Sequence, residues 1–445
     1  MYRKIKNLLE SWRRSTQRKP LILRGARQVG KTYILKEWGQ ESFKNVHYVN
    51  FEANAAAAKI FEKDFNIPRI LNELGFLLQT TITPGTEDLL IFDEIQAAPK
   101  ALTALKYFCE DCPQLALCAA GSLLGVILSE ESFPVGKVNY LSMHPLTFDE
   151  FLRAVDEKES WRQIPSPSLN AEIPSIVHDH LWELTKLYYA VGGMPEAVKS
   201  FALLRHDLTT AYREVRAIQQ ALLKGYESDF TKHAGKLNAI HIQALYRSIA
   251  AQLAGYHDDT TKRFRFGEVM PGKKGFAAWE RPLHWLVNAD LVIEVRIANA
   301  AMLPLQHYTK ANMFKLFMND VGLLACAQGL DPSTLVLQDY GMAKGYFAEN
   351  FVAQEMRASH DSLDEPLYAW NEGTAEIEFV RSYGSEVIPV EVKSGHRTKA
   401  KSLAQFCARY HPSLNIKISA LELSYEKDSG LLNLPLYLAS WAAQL

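Results

Sequence analysis

The apolar positions of the chain fall, over its first third, into short runs of strand and helix in alternation. Pro20-Leu-Ile-Leu-Arg24 predicts a short buried strand, and Thr32 to Gln40 follows at helical spacing. Asn45 to Phe51 alternates apolar and polar positions, as a second strand does, and Ile60 to Gln79 reads as mostly helical. Asp88 to Asp93 is a continuous buried strand, Ala101 to Cys112 a helix, and Gln114 to Ala120 another buried strand. Strands alternating with helices make βαβ units and a mostly parallel sheet, because parallel neighbours need a crossover. Ahead of them, Ile5, Leu8, Leu9 and Trp12 share one face of an amphipathic helix. The first twenty residues are basic (Arg3, Lys4, Lys6, Arg13, Arg14, Arg18 and Lys19 against Glu10), so its other face is there either to meet phosphates or nucleic acid or as a solvated face over a packed stripe.

Ile164 to Ser175 is polar and rich in Pro and Ser, as a linker is, and His178 to Ala250 is largely helical. Between Leu237 and Ala325 the order is helix, basic segment, helix and two strands, Leu291 to Arg296 and Met313 to Met318. That order is compatible with a winged helix. Lys262, Arg263, Arg265, Lys273 and Lys274 surround Phe264 and Phe266. Such a cluster suits a nucleic-acid backbone, or a half-buried strand with a charged outer face. Trp279, Trp285, Phe314 and Phe317 read as core. From Lys344 onward the α/β pattern returns. The expected division is 1–160, 176–335 and 340–445.

Composition narrows the class. A length of 445 residues suits about three domains. With 48% hydrophobic and 22% charged residues the chain is globular rather than disordered. Lys+Arg 49 against Asp+Glu 50 supplies no global reason to expect nucleic acid, although a local basic patch stays open. Five cysteines, an odd and sparse set, do not form a disulfide framework, so a reducing cytoplasm is expected. Cys109 and Cys112 form a lone C-x-x-C with no second pair to complete a metal site. No secretion signal is visible, and the longest weakly polar run, Leu115 to Ser129, is too short to span a membrane.

The chemistry is densest near the N-terminus. Gly25-Ala26-Arg27-Gln28-Val29-Gly30-Lys31-Thr32 matches G-x-x-x-x-G-K-[ST], after a strand and at the opening of a helix. There backbone N–H groups can ring a triphosphate, and the helix N-terminus adds positive partial charge. Lys31 would contact the β- and γ-phosphates, and Thr32 would ligate Mg2+. Downstream, Leu89-Leu-Ile-Phe ends in Asp93 and Glu94. Asp93 would hold the metal and Glu94 would polarise the attacking water. Ser122, at the end of the neighbouring strand, is placed to orient that water.

These strings, with Ala119-Ala-Gly121-Ser122 and Pro145-Leu-Thr-Phe-Asp-Glu150-Phe151, resemble a family of prokaryotic AAA-type ATPases with a nuclease-like C-terminal domain of unknown function. The likeness runs on through Gly192-Gly-Met-Pro195-Glu196, Asn319-Asp320-Val-Gly322-Leu323, Glu349-Asn350-Phe-Val352 and Glu391-Val-Lys393-Ser-Gly395. The resemblance implies an AAA-type P-loop domain with a parallel sheet, a helical, winged-helix-like middle and a PD-(D/E)XK, restriction-endonuclease-like α/β end. It also implies adenine rather than guanine. Where the family carries Gly-Arg, this chain has Gly136-Lys137, and Lys lacks the forked donors of an arginine finger. Arg153 and Arg162 lie nearby, with nothing to select either.

In the C-terminal region the pattern is a helix with Glu349, strands 366–370, 375–380 and 387–393, a helix 400–409 and a strand 416–421. That order suits a PD-(D/E)XK core. Alternation puts Glu376 with Glu378 on one face, and Glu391 with Lys393 on one face. Glu349, Glu378, Glu391 and Lys393 form the candidate nuclease-like site, with a second divalent metal and a water-activating lysine. Glu378 stands where the family has Asp, one methylene shorter. The expected function is a Mg2+- and ATP-dependent hydrolase coupled to DNA. A nucleotide switch acting on a protein partner and an ATP-gated endonuclease stand as alternatives, and oligomeric state stays open.

Overall fold

A computed structural model of the chain describes residues 1–121, 124, 136–255, 263–273, 275–337, 345–359, 366–395 and 401–445. Of residues 233, 236, 237 and 337 it describes the backbone alone. Ser122, Lys262 and Lys274 lie outside the described residues. The chain divides into two compact units, one of Arg3–His144 with Asn288–Asp290, the other of Met1–Tyr2, Pro145–Val287 and Leu291–Leu445.

The first unit runs α1 (Ile5–Arg14), β1 (Leu21–Arg24), α2 (Lys31–Ser42), β2 (Asn45–Asn50), α3 (Ala55–Lys59), α4 (Ile67–Leu78), β3 (Asp88–Asp93), α5 (Pro99–Asp111), β4 (Ala116–Ala120) and β5 (Asn139–Ser142). The strands form one parallel sheet in the order β2-β3-β4-β1-β5. β3 and β4 are buried along their whole length, as their unbroken apolar runs require in a sheet covered on both faces. Ile22, Leu90, Phe92 and Leu117 pack against Ile70 and Leu74 of α4 and Ala101, Leu105 and Phe108 of α5. The predicted helix over 60–79 is shorter, because Asn66 caps a new start at Ile67 with Pro68 in its first turn.

α1 buries Ile5, Leu9 and Trp12, while Leu8 is exposed. Three cations of its basic face are paired within the unit. Lys6 pairs with Glu37 at 2.7 Å and Glu41 at 2.9 Å, and Arg13 and Arg14 both pair with Glu10.

The second unit opens with helices α6 (Phe148–Val155), α7 (Ser175–Val191), α8 (Pro195–Leu204), α9 (Leu208–His233), α10 (Lys236–Gly255) and α11 (Glu280–Asn288). The hairpin β6 (Val292–Ala298) and β7 (Thr309–Met318) leads to α12 (Val321–Ala327), α13 (Pro332–Leu337) and α14 (Gly345–Ser359). β8 (Leu367–Glu372), β9 (Ala375–Tyr383), β10 (Glu386–Val392), α15 (Lys401–Tyr410), β11 (Asn415–Ser419), β12 (Ser424–Glu426) and β13 (Leu431–Pro435) complete it. The sheet order is β12-β13-β11-β10-β9-β8-β6-β7. The hairpin expected as a wing is therefore the edge of the C-terminal sheet, since β6 pairs in parallel with β8. Val295 and Ile297 of β6 are buried, which a free-standing wing could not arrange.

Arg263-Phe-Arg-Phe266 does alternate, with Phe264 and Phe266 buried and the arginines outward, but it is not a ladder strand. One backbone bond, Phe264 N–H to Phe314 O at 2.9 Å, ties it to β7, and the Gln252 amide takes both backbone groups of Arg265. Arg265 itself pairs with Glu268.

Several of the motifs are architecture. Asp320 caps α12 by accepting from Leu323 N–H at 2.9 Å, and it also accepts from Gly193 N–H at 2.6 Å. Gly192 sits at φ 73°, where a Cβ would lie 2.2 Å from Asp320 Oδ1, so both the turn and the contact demand glycine. Burial pushes Asp320 up to about 6 although these N–H groups pull it down. Asn350 of α14 closes the end of β7 with bonds to Met318 N–H and O, and Glu355 accepts from Phe148 N–H. Thr147 and Glu150 form a capping box on α6. Among the described residues no helix is long and apolar enough to cross a membrane.

Candidate functional site

The loop between β1 and α2 takes backbone shapes that its sequence foretells. Gly25 (φ 142°) passes so close to β5 that a Cβ would lie 2.1 Å from Met143 O. Gln28 (φ 68°) and Gly30 (φ 97°) are left-handed, and Gly30 caps α2, so the helix begins at Lys31 with its N–H groups facing the loop. Val29 O is held from behind by Arg3, whose guanidinium also reaches His144 O.

Lys31 is buried, and its ammonium donates to the carbonyls of Gly25 at 2.8 Å and Ala26 at 2.9 Å. Burial pulls its pKa down to about 8, against the pull of the Glu94 and Asp93 carboxylates. A buried cation resting on neutral carbonyls gains when an anion replaces them.

The Thr32 hydroxyl donates to Asp93 at 2.9 Å, across from β3. A third group meets the same carboxylate. Tyr48 on β2 donates to Asp93 Oδ2 at 2.7 Å, and burial and that carboxylate push its hydroxyl up to about 12. Lys36 of α2 lies over the Tyr48 ring at 3.3 Å. Sequence reasoning missed Tyr48, although the alternation of β2 places it on the same face as Asn50, whose register partner is Asp93. A hydroxyl and a carboxylate are hard oxygen ligands, so Thr32 and Asp93 fit Mg2+. Glu94 follows at φ 49°, its carboxylate held by the Gln96 amide. Gln96 in turn packs on Gly121, where a Cβ would collide with it.

The arginine-finger positions are otherwise engaged. Lys137 pairs with Glu110 of α5 at 2.8 Å. Arg153 pairs with Asp149 and lies over the Tyr2 and Trp161 rings, each at 4.1 Å, and Arg162 pairs with Glu159. Cys109 and Cys112 are free thiols.

In the second unit, α14, β8, β9, β10, α15 and β11 follow in the expected order, with β8, β9 and β10 antiparallel and β11 parallel to β10. Glu349, Glu378, Glu391 and Lys393 come together there. Lys393 lies 2.6 Å from Glu391 and 3.9 Å from Glu378, and Glu378 also accepts from Val392 N–H. Burial lowers Lys393, but the Glu378 and Glu391 carboxylates outweigh it and hold the ammonium above its ordinary value. Burial and the adjacent Glu378 push Glu391 up to about 8, and its Oε2 is buried without a hydrogen-bond partner among the described residues.

Lys315 of β7, which sequence reasoning passed over, completes the centre. It is 2% exposed and lies 2.6 Å from Glu376 and 3.5 Å from Glu349. Burial opposes its charge, yet the carboxylates of Glu376, Glu349 and Glu378 raise its pKa. These residues do not fit a divalent metal. The buried Lys315 ammonium already takes up Glu376 and Glu349, and among the described residues no group of three or more His, Cys, Asp or Glu could hold a metal ion.

Residues 17–152 match the family described as an AAA domain, which makes the first region an AAA-type P-loop ATPase domain. Residues 183–334 and 344–438 match two domains of unknown function, DUF8612 and DUF4143. No curated protein matches the chain. Among solved structures it is similar to a Walker-type ATPase of Pyrococcus abyssi, at 16% identity and a TM-score of 0.47, covering 73% of this chain and 94% of that one. The Orc1 protein of Aeropyrum pernix in complex with DNA aligns at 13% identity and a TM-score of 0.28, over 73% and 90% of the two chains. A RuvB variant of Thermotoga maritima aligns at 16% and 0.32, over 65% and 87%.

Proposed function

We propose that the chain is a cytoplasmic, Mg2+-dependent ATPase whose turnover is coupled to DNA through the residues that follow the AAA domain. Of the expected divisions 1–160, 176–335 and 340–445, the last two would act as one body, since β6 and β7 lie in the sheet of 340–445. The observation that carries the ATPase reading is the convergence of Thr32 and Tyr48 on Asp93 beside the buried Lys31. Gly25 to Thr32 bind the triphosphate, with backbone N–H groups and the Lys31 ammonium taking up phosphate charge. Thr32 and Asp93 hold Mg2+, which when bound neutralises phosphate oxygens. Tyr48 orients the Asp93 carboxylate. Glu94 accepts a proton from the attacking water, and Gln96 sets where that carboxylate points. Ser122 keeps its role as a water-orienting group in this reading.

DNA as partner is supported by the helix–strand–strand–strand–helix–strand order of the C-terminal region, which resembles nucleic-acid-cleaving cores in topology. The winged-helix reading of the middle region adds little, because its hairpin belongs to the C-terminal sheet. A second reading, a nucleotide-dependent switch on a protein partner, is favoured by the internal pairing of Lys6, Arg13, Arg14 and Arg265. Turnover with and without double-stranded DNA, against a Lys31→Ala control, separates the two. Stimulation that vanishes in the control supports coupling to DNA. Turnover indifferent to DNA overturns it in favour of the protein partner.

A further inference from the structure

The acid centre of the second unit takes its more deeply buried cation from outside the C-terminal region. β10 supplies Glu391 and the following Lys393, β9 supplies Glu376 and Glu378, and α14 supplies Glu349. Lys315 comes from β7, on the far edge of the β6–β8 pairing and before the residues that match the C-terminal family. A lysine in the apolar run Phe314-Lys-Leu-Phe317 can be buried only if its charge is met there, and it is met by two carboxylates.

We propose that the Lys315 ammonium is the resident cation of this centre, so that the C-terminal region holds no divalent metal and does not hydrolyse phosphodiesters. A metal ion needs carboxylate oxygens at roughly 2.0–2.6 Å, and carboxylates held by a buried ammonium are not free to supply them. Here Glu376 and Glu349 face Lys315, and Glu391 and Glu378 face Lys393. To bind a metal the centre would have to expel a buried ammonium from its ion pair, leaving that charge without compensation. The hairpin thereby acts as a built-in counterion, tying the C-terminal sheet to the middle region. This holds whether or not DNA stimulates the ATPase.

The test is a Mn2+ titration of the full chain carrying Lys31→Ala, without nucleotide, followed by paramagnetic resonance of the free ion. The expected result is no Mn2+ retained below millimolar concentration, and a melting temperature equal in EDTA and in Mn2+. In the same background Lys315→Met should open a Mn2+ site that Glu391→Gln closes again. Micromolar Mn2+ binding with Lys315 in place, lost on Glu391→Gln, would overturn the proposal. So would Mn2+-dependent nicking of plasmid DNA lost on the same change. If Lys315→Met does not fold, the titration of the chain with Lys315 intact decides alone.

Discussion

Lys31 and Lys315 are both buried lysines, and they stand in opposite electrostatic states. Lys31 rests on two backbone carbonyls, and burial holds it down at about 8. Lys315 rests between two carboxylates, which hold it above its ordinary value. The first is a cation prepared for an anion that the protein does not itself supply. The second is a cation already answered from within. Burial alone therefore does not mark a functional lysine; what its ammonium touches does.

The widest separation should appear in turnover. Lys31→Ala should lower kcat/KM for ATP by on the order of 10³-fold, since it removes a preorganised cation from the transferring phosphoryl group. Glu94→Gln should lower kcat by about 10²–10⁴-fold while nucleotide binding persists, as measured by steady-state kinetics and fluorescent-nucleotide titration.

Stability should separate the lysines in the other direction. Lys315→Met leaves the buried Glu349 and the half-buried Glu376 without their counterion, and should cost about 3–5 kcal/mol in urea unfolding. Lys31→Met removes a cation that burial already disfavours, and should leave the nucleotide-free chain no less stable. Equal losses in the two variants would erase the distinction.

A smaller effect tests the orientation of Asp93. Tyr48→Phe deletes one hydrogen bond to a carboxylate, worth about 1.5 kcal/mol, or roughly tenfold in the Mg2+ concentration for half-maximal turnover.

The smallest effects are in pH. Lys31 is lowered from 10.5 to about 8, so the unfolded chain holds the extra proton between these values and stability rises with pH across that window. Nucleotide binding near its upper half should take up a proton at Lys31, measurable by calorimetry in buffers of different ionisation enthalpy. Glu391 is raised from 4.5 to about 8, so the folded chain holds the proton and stability falls as pH rises between these values. Glu391→Gln should remove that slope.

The geometry of the candidate nucleotide site was legible because its parts are local. A strand, a glycine-bearing turn and a helix start are contiguous from Leu21 to Thr32, and Asp93 ends a run whose burial is written in six consecutive positions. Tyr48 was readable in principle from the alternation of β2, but only once β2 was known to lie beside β3 in the register Asn50 to Asp93. The Gly-Gly-Met-Pro and Asn-Asp-Val-Gly strings, read in the sequence only as marks of the family resemblance, meet as a joint built on Asp320 and Gly192.

The sequence by itself determined the glycine-bearing loop after β1, the acids at and just after the end of β3 and the α/β alternation at both ends of the chain. In each case backbone geometry or period is set by neighbours within a few residues. Only the tertiary structure decided that the β6–β7 hairpin joins the C-terminal sheet and brings Lys315 to Glu349 and Glu376. Strand pairing between distant segments, and the charge compensation it imposes on a buried ammonium, are long-range balances that no local pattern encodes.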